Sequence, residues 1–169
     1  IIKGTCDKEK FIDILENFIL FDTPKGKLIK IIPRNHQFLG VNNAIQSFEK
    51  NKGKQGKIGV FWHTKESGKS VSMVLFDKKV LGKLEGNYTF LVVTDRIELD
   101  KQIYTQFQST GVVREDEMRA GSGEHLKELL TEDHRLVFTL IQKFGTKKGE
   151  VYPKLSDRDD IIVMTDEAH

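Results

Sequence analysis

The chain has 169 residues, 38% of them apolar and 31% charged, with a formal net charge of +2. That length suits one ordinary domain with a real core, and no apolar run approaches the roughly 20 residues that span a bilayer, so a membrane partner is not expected. The opening IIKGTCDKEK does not read as a signal peptide, and the single cysteine, Cys6, excludes an internal disulfide, which points to a reducing, intracellular setting. A near-balanced charge says nothing about nucleic acid. The local clusters Lys50–Lys57, Lys78–Lys83 and Lys143–Lys148 read as solvated surface that permits phosphate contacts without demonstrating them.

In chain order, Phe11, Leu15, Phe18 and Ile19 fall at helical spacing and predict a helix over 8–20, broken by Asp22, Pro24 and Gly26. LIKII at 28–32 is a short apolar segment, and Val41, Ala44, Ile45 and Phe48 predict a helix over 35–50. KIGVFW at 57–62 reads as a buried strand, followed by a glycine-bearing loop and a mostly apolar helix over 69–84. TFLVVT at 89–94 is a strand and 96–109 a helix. A strand follows at 111–114, a short helix at 122–130 and a strand at 135–141. The polar stretch 145–158 reads as a mobile loop, and DIIVM at 160–164 is the last strand. Strands alternating with helices predict an α/β fold with a mainly parallel sheet. The expected division is a lead-in over 1–30 and one domain over 31–169. A chain that starts at Ile1 and stops at His169, next to a mid-domain motif, reads as a fragment.

Two motifs carry chemistry. His63-Thr64-Lys65-Glu66-Ser67-Gly68-Lys69-Ser70 lies between the predicted strand 57–62 and the predicted helix 69–84, as a phosphate loop must. Such a loop turns backbone N–H groups and a helix N-terminus toward a triphosphate. Lys69 would reach the β and γ phosphates and Ser70 would place its hydroxyl on Mg²⁺. His63 stands where the first glycine of the pattern falls, and Glu66 sets a carboxylate beside an anion site. The second motif is Thr165-Asp166-Glu167-Ala168-His169, at the end of an apolar strand. Asp166 would hold Mg²⁺ and Glu167 would orient and deprotonate the attacking water. Either motif alone is weak. Together they make ATP hydrolysis with ATP and Mg²⁺ the leading reading. The histidines His63, His125, His134 and His169 show no metal-ligand spacing.

The stretches NFILFD (17–22), IIPRNHQFLGVNNAI (31–45), FWHTKESGKS (61–70), FLVVTDRIELDKQ (90–102), TLIQKF (139–144) and IIVMTDEAH (161–169) together resemble a known family. It is the motor (R) subunit of type I restriction enzymes, here the first RecA-like lobe of a superfamily 2 helicase or translocase. The resemblance implies a RecA-like P-loop lobe with helices on both faces of the sheet. It implies ATP-dependent translocation on double-stranded DNA, leading to cleavage by an endonuclease domain. It implies partners in DNA-specificity and methyltransferase subunits, and a prokaryotic, cytoplasmic location. It assigns adenine reading to Gln37, supported by Arg34, although a polar residue at a helix start explains Gln37 equally well. It assigns contacts to the DNA backbone to Thr94, Arg96, Thr139, Gln142 and Lys143, against the alternative of ordinary strand-end polarity. Ser122 is a weaker candidate, or simply a helix N-cap. The family pattern HTQGSGKS differs here at Lys65 and Glu66, and Glu66 replaces a glycine. The resemblance also implies that this lobe by itself hydrolyses ATP poorly, because hydrolysis draws on charge from a second lobe. Another superfamily 2 motor, or a non-hydrolytic DNA-binding or structural module with a decayed phosphate loop, are the competing readings.

Overall fold

A computed structural model of the chain describes residues 7–23, 26–52, 56–62, 64, 67–112, 119–145, 151 and 153–166. The chain divides into two compact units, Ile1–Leu84 with Ser109–Val112, and Glu85–Gln108 with Val113–His169.

In the first unit, helix α1 (Lys8–Asn17) begins at Asp7, whose carboxylate accepts from the Lys10 amide, so the first turn is capped. The helix stops earlier than its periodicity suggests. Phe18 leaves helical geometry, and Leu20–Asp22 (β1) pairs antiparallel with Ile29–Ile31 (β2), register Leu20↔Ile31. Helix α2 (Asn35–Asn51) buries Phe38, Val41, Ile45 and Phe48 along one stripe, as the spacing predicts. Helix α3 (Lys69–Lys83) buries Val74, Leu75, Phe76 and Val80, and with them the polar Ser72, Asp77 and Lys79.

Lys79 departs from the reading of its cluster as solvated surface. Its ammonium lies within the unit, 2.7 Å from both Asp13 carboxylate oxygens and 2.5 Å from Asn42 Oδ1, and 4.8 Å from the Phe18 ring centroid. Asn17 donates to the same carboxylate at 2.7 Å. A buried ammonium is tolerable only when its donors are met, and here α1 supplies Asp13 and α2 supplies Asn42 to meet them. Next to it, Lys78 donates to the Ile19 carbonyl at 2.7 Å, and burial there lowers its pKa.

The expected strand over 57–62 does not form. Gly56 and Gly59 have φ of 69° and 147°, outside the β region of an L-residue strand, and no ladder bonds involve the segment among the described residues. Within the segment Val60, Phe61 and Trp62 stay exposed, Trp62 at 80%, while Ile58 is half-buried. Its tether is the Ser47 hydroxyl of α2, which donates to the Ile58 carbonyl at 2.5 Å.

The second unit holds a parallel sheet of three strands, β3 (Thr89–Thr94), β4 (Leu136–Leu140) and β5 (Ile161–Thr165), in the order β4-β3-β5. Phe90 pairs with Leu136 and with Ile162. All six residues of β3 are buried, as a central parallel strand requires. Leu91, Val93 and Val137 face one side and pack under helix α5 (Gly123–Thr131) through Leu126, Leu129 and Leu130. Phe138 faces the other, where Tyr104 and Phe107 of helix α4 (Ile97–Ser109) meet its ring edge-on at 5.1 and 5.6 Å. The sheet therefore carries a helix on each face.

Part of the predicted strand over 111–114 lies outside the described residues. What pairs near it is Arg119, in an isolated parallel bridge to Phe138. The polar stretch from 145, expected to be mobile, lies outside the described residues at 146–150 and 152, and its described part is pinned. Ser156 donates to the Leu130 carbonyl at 3.2 Å, and the Arg158 guanidinium donates to Asp160 at 2.8 Å, Thr89 Oγ1 at 2.8 Å and the Glu132 carbonyl at 2.9 Å. Among the described residues no helix is long and apolar enough to cross a membrane.

Replacing Lys79 by alanine leaves the Asp13 carboxylate among groups arranged for a cation. The expected loss in urea unfolding is about 2–3 kcal/mol, less than a fully buried pair because Asp13 keeps some solvent. A surface lysine change such as Lys127→Ala is expected to fall within about 0.5 kcal/mol.

Candidate functional site

In the first unit the site grows from one backbone turn. Gly68 has φ 82° and ψ 43° and forms the N-cap of α3, so the chain turns left-handed and enters the helix at Lys69. Two things demand glycine here. The first is the positive φ. The second is contact: a Cβ would lie 2.7 Å from Gln37 Nε2. No side chain caps the helix and no acidic residue lies in its first turn, so its leading N–H groups keep their capacity for an anion. Ser67 Oγ is buried with no partner among the described residues. Ser70 occupies the second position of the helix and is half-buried. An open helix N-terminus, an orphaned hydroxyl and a lysine at the first helical position suit a polyphosphate with its magnesium ion.

The first turn of α2 holds this loop. Gln37 is only 4% exposed and both ends of its amide are engaged: Nε2 donates to the Gly68 carbonyl at 3.0 Å, and Oε1 accepts from the Arg34 amide at 2.8 Å. The second contact is half of a capping box, which the guanidinium of Arg34 cannot reciprocate because it has no acceptor. His36 Nε2 lies 3.2 Å from the Ser67 carbonyl. Thr64 takes part through its carbonyl, which accepts from the Ser67 amide at 3.2 Å. His63, Lys65 and Glu66 lie outside the described residues.

In the second unit the polar residues gather at the carboxyl edge of the sheet, where parallel sheets leave a crevice for ligands. Asp166 follows β5 directly, and its amide donates to the Val93 carbonyl at 3.1 Å, so β3 fixes where the carboxylate starts. Glu167 lies outside the described residues. Thr94 and Thr139 end up in this edge but are 1% and 2% exposed, and Thr94 Oγ1 has no partner among the described residues. Gln142, in the short 3₁₀ turn Ile141–Phe144, donates to the Asp95 carbonyl at 2.7 Å and joins the ends of β3 and β4. Lys143 donates to the Gly121 carbonyl at 2.7 Å. Arg96 stays in solvent, paired at 3.3 Å with Asp95. Ser122 is the N-cap of α5, accepting from the His125 amide at 3.1 Å.

Motif reading missed three participants. His36 carries no motif of its own, and its only signal is adjacency to Gln37. Asp95 contributes a backbone carbonyl, which a sequence does not advertise. Asp100 is buried and ion-paired to Arg119, whose guanidinium also lies 5.1 Å from the Tyr104 ring centroid, so the start of α4 is tied to the bridge beside β4.

With this geometry established, comparison with known proteins is informative. The SWI2/SNF2 ATPase family matches residues 36–169. The type I restriction enzyme HindI endonuclease subunit of Haemophilus influenzae is 37% identical over 177 residues, covering 100% of this chain and 17% of that protein. The putative type I restriction enzyme MjaIXP endonuclease subunit of Methanocaldococcus jannaschii is 40% identical over 177 residues, covering 100% of this chain and 16% of that protein. The chain thus spans about one sixth of the length of these curated relatives.

Gly68→Ala is expected to lower Mg–ATP affinity at least tenfold, because an L-residue at φ 82° costs about 1–2 kcal/mol before the clash with Gln37 is counted. Titration calorimetry with the unsubstituted and substituted proteins checks this.

Proposed function

This chain belongs to the SWI2/SNF2 ATPase family, and from that premise we propose that it is the ATP-binding motor lobe of a type I restriction enzyme endonuclease subunit. It drives ATP-dependent translocation along double-stranded DNA that leads to endonucleolytic cleavage. It works in the cytoplasm with DNA-specificity and methyltransferase subunits. The observation that carries the reading is the left-handed turn at Gly68, opening an uncapped helix with Lys69 and Ser70 in its first turn.

When bound, Mg–ATP supplies the transferable phosphoryl group and the divalent charge that neutralises it. The chain's own residues supply position. Lys69 reaches the β and γ phosphates from the helix start, where the dipole already favours negative charge. Thr64, Ser67 and Gly68 line the loop with His63, Lys65 and Glu66. Ser70 and Asp166 would hold the magnesium ion. Glu167 orients and deprotonates the attacking water. Gln37, with Arg34 beside it, reads the adenine edge. Its amide also holds Gly68, so base reading and loop position share one side chain. Thr94, Arg96, Thr139, Gln142 and Lys143 track the DNA backbone, a contact that positions without reading sequence. Arg96 and Gln142 are the exposed ones among them. Thr94 and Thr139 would act through the backbone beside them, since their side chains are buried.

Thermal unfolding with and without excess Mg–ATP tests the nucleotide reading. At 100 times the dissociation constant the protein is expected to gain about 2.7 kcal/mol, and Lys69→Ala is expected to lose that gain. No gain in the unsubstituted protein would contradict the assignment. For the DNA interface, Arg96→Ala is expected to weaken duplex binding equally on unrelated sequences and to reduce the slope of log affinity against log salt by about one. Fluorescence anisotropy across a salt series measures both.

A further inference from the structure

Two consecutive side chains in the first turn of α2 hold two consecutive carbonyls of the phosphate loop. His36 Nε2 meets the Ser67 carbonyl at 3.2 Å, and Gln37 Nε2 meets the Gly68 carbonyl at 3.0 Å. A carbonyl can only accept, so Nε2 of His36 carries the proton in this contact. Among the described residues there are no cis peptide bonds. In a planar trans peptide the C=O and the following N–H point in opposite directions. Holding the Ser67 and Gly68 carbonyls toward α2 therefore turns the Gly68 and Lys69 amides the other way, onto the open side of the loop.

From this geometry, and resting on the nucleotide reading above, we infer that His36 is a positioning residue of the phosphate site. It sets the Ser67–Gly68 peptide plane so that the Gly68 amide is aimed before any anion arrives. The advantage is preorganisation: donors already oriented need no reordering when charge binds. The Gly68 carbonyl has further support, because the Ser72 amide donates to it at 3.1 Å within the helix. The Ser67 carbonyl precedes the helix and has no such intrahelical donor, so His36 does there what the helix does one residue later. His36 acts on the loop and not on a base. Its loss must therefore weaken every polyphosphate ligand by the same factor.

The test uses the intact protein and titration calorimetry with Mg–ATP, Mg–GTP and Mg–tripolyphosphate. Unsubstituted protein is compared with Lys69→Ala, His36→Ala and His36→Gln, each also unfolded thermally without ligand. His36→Ala is expected to raise all three dissociation constants by one common factor of roughly five to ten, the equivalent of one net hydrogen bond. His36→Gln keeps an N–H donor at similar reach and is expected to recover most of that loss. Unchanged affinities in His36→Ala, a loss confined to Mg–ATP, or an equal loss in His36→Gln with a lowered unfolding temperature would each overturn the inference. If unsubstituted protein binds and Lys69→Ala does not, while His36→Ala binds normally, only the role of His36 falls. If unsubstituted protein binds none of the three, the nucleotide reading falls with it.

Discussion

The first unit depends on a single left-handed residue. Gly68 opens helix α3 at φ 82°, where a Cβ would lie 2.7 Å from Gln37 Nε2. Helix α3 inherits its direction from that turn. Helix α3 leaves the loop with its leading amides uncapped, and nearly three turns later it carries Lys79 into the carboxylate of Asp13 and the amide oxygen of Asn42. The loop is thus held from both sides of the unit. At its start, the first turn of α2 grips the carbonyls, and further along, α1 and α2 grip the lysine on the helix. An ammonium in that position has few tolerable arrangements, so the network favours one placement of α3 and with it one orientation of the phosphate loop.

The second unit solves a different problem. β3 is buried on both faces, and parallel strands of this kind place their ladder bonds where water does not compete. Two helices are needed to cover it, and α4 and α5 each present the spacing to do so. Polar groups gather at the carboxyl edge of the sheet. There the Val93 carbonyl receives the Asp166 amide and the Asp95 carbonyl receives Gln142. Backbone acceptors at strand ends thus fix the start of Asp166 and the amide of Gln142. Membership of the SWI2/SNF2 ATPase family accords with this arrangement.

Most elements of the fold were legible because their periodicity has a single reading. Helices over 35–51, 69–83, 97–109 and 123–131 and strands over 89–94, 136–140 and 161–165 follow from apolar spacing to within a residue or two. The exceptions are instructive. KIGVFW has the composition of a buried strand, yet a strand is a relation to a partner, and two glycines at positive φ keep this segment off the ladder. The cluster around Lys79 has the composition of a solvated face, yet Lys79 is buried against Asp13 and Asn42. Helix α1 ends early because Leu20–Asp22 finds a partner in Ile29–Ile31, which no local pattern announces.

The sequence by itself determined the chemistry on offer: a glycine, lysine and serine in the order a phosphate loop needs, an acidic pair after an apolar strand, and the strand and helix periods that place them at turns and sheet edges. These are local properties, carried by residue type and spacing within one or two turns of chain. The tertiary structure alone decided which groups hold that chemistry in place. That Gln37 and His36 meet Gly68 and Ser67, that Lys79 meets Asp13, and that Asp166 hangs from Val93 are contacts between segments far apart in sequence. Long-range hydrogen bonds of this kind depend on distance and direction in space, which residue order constrains only through the packing of the whole unit.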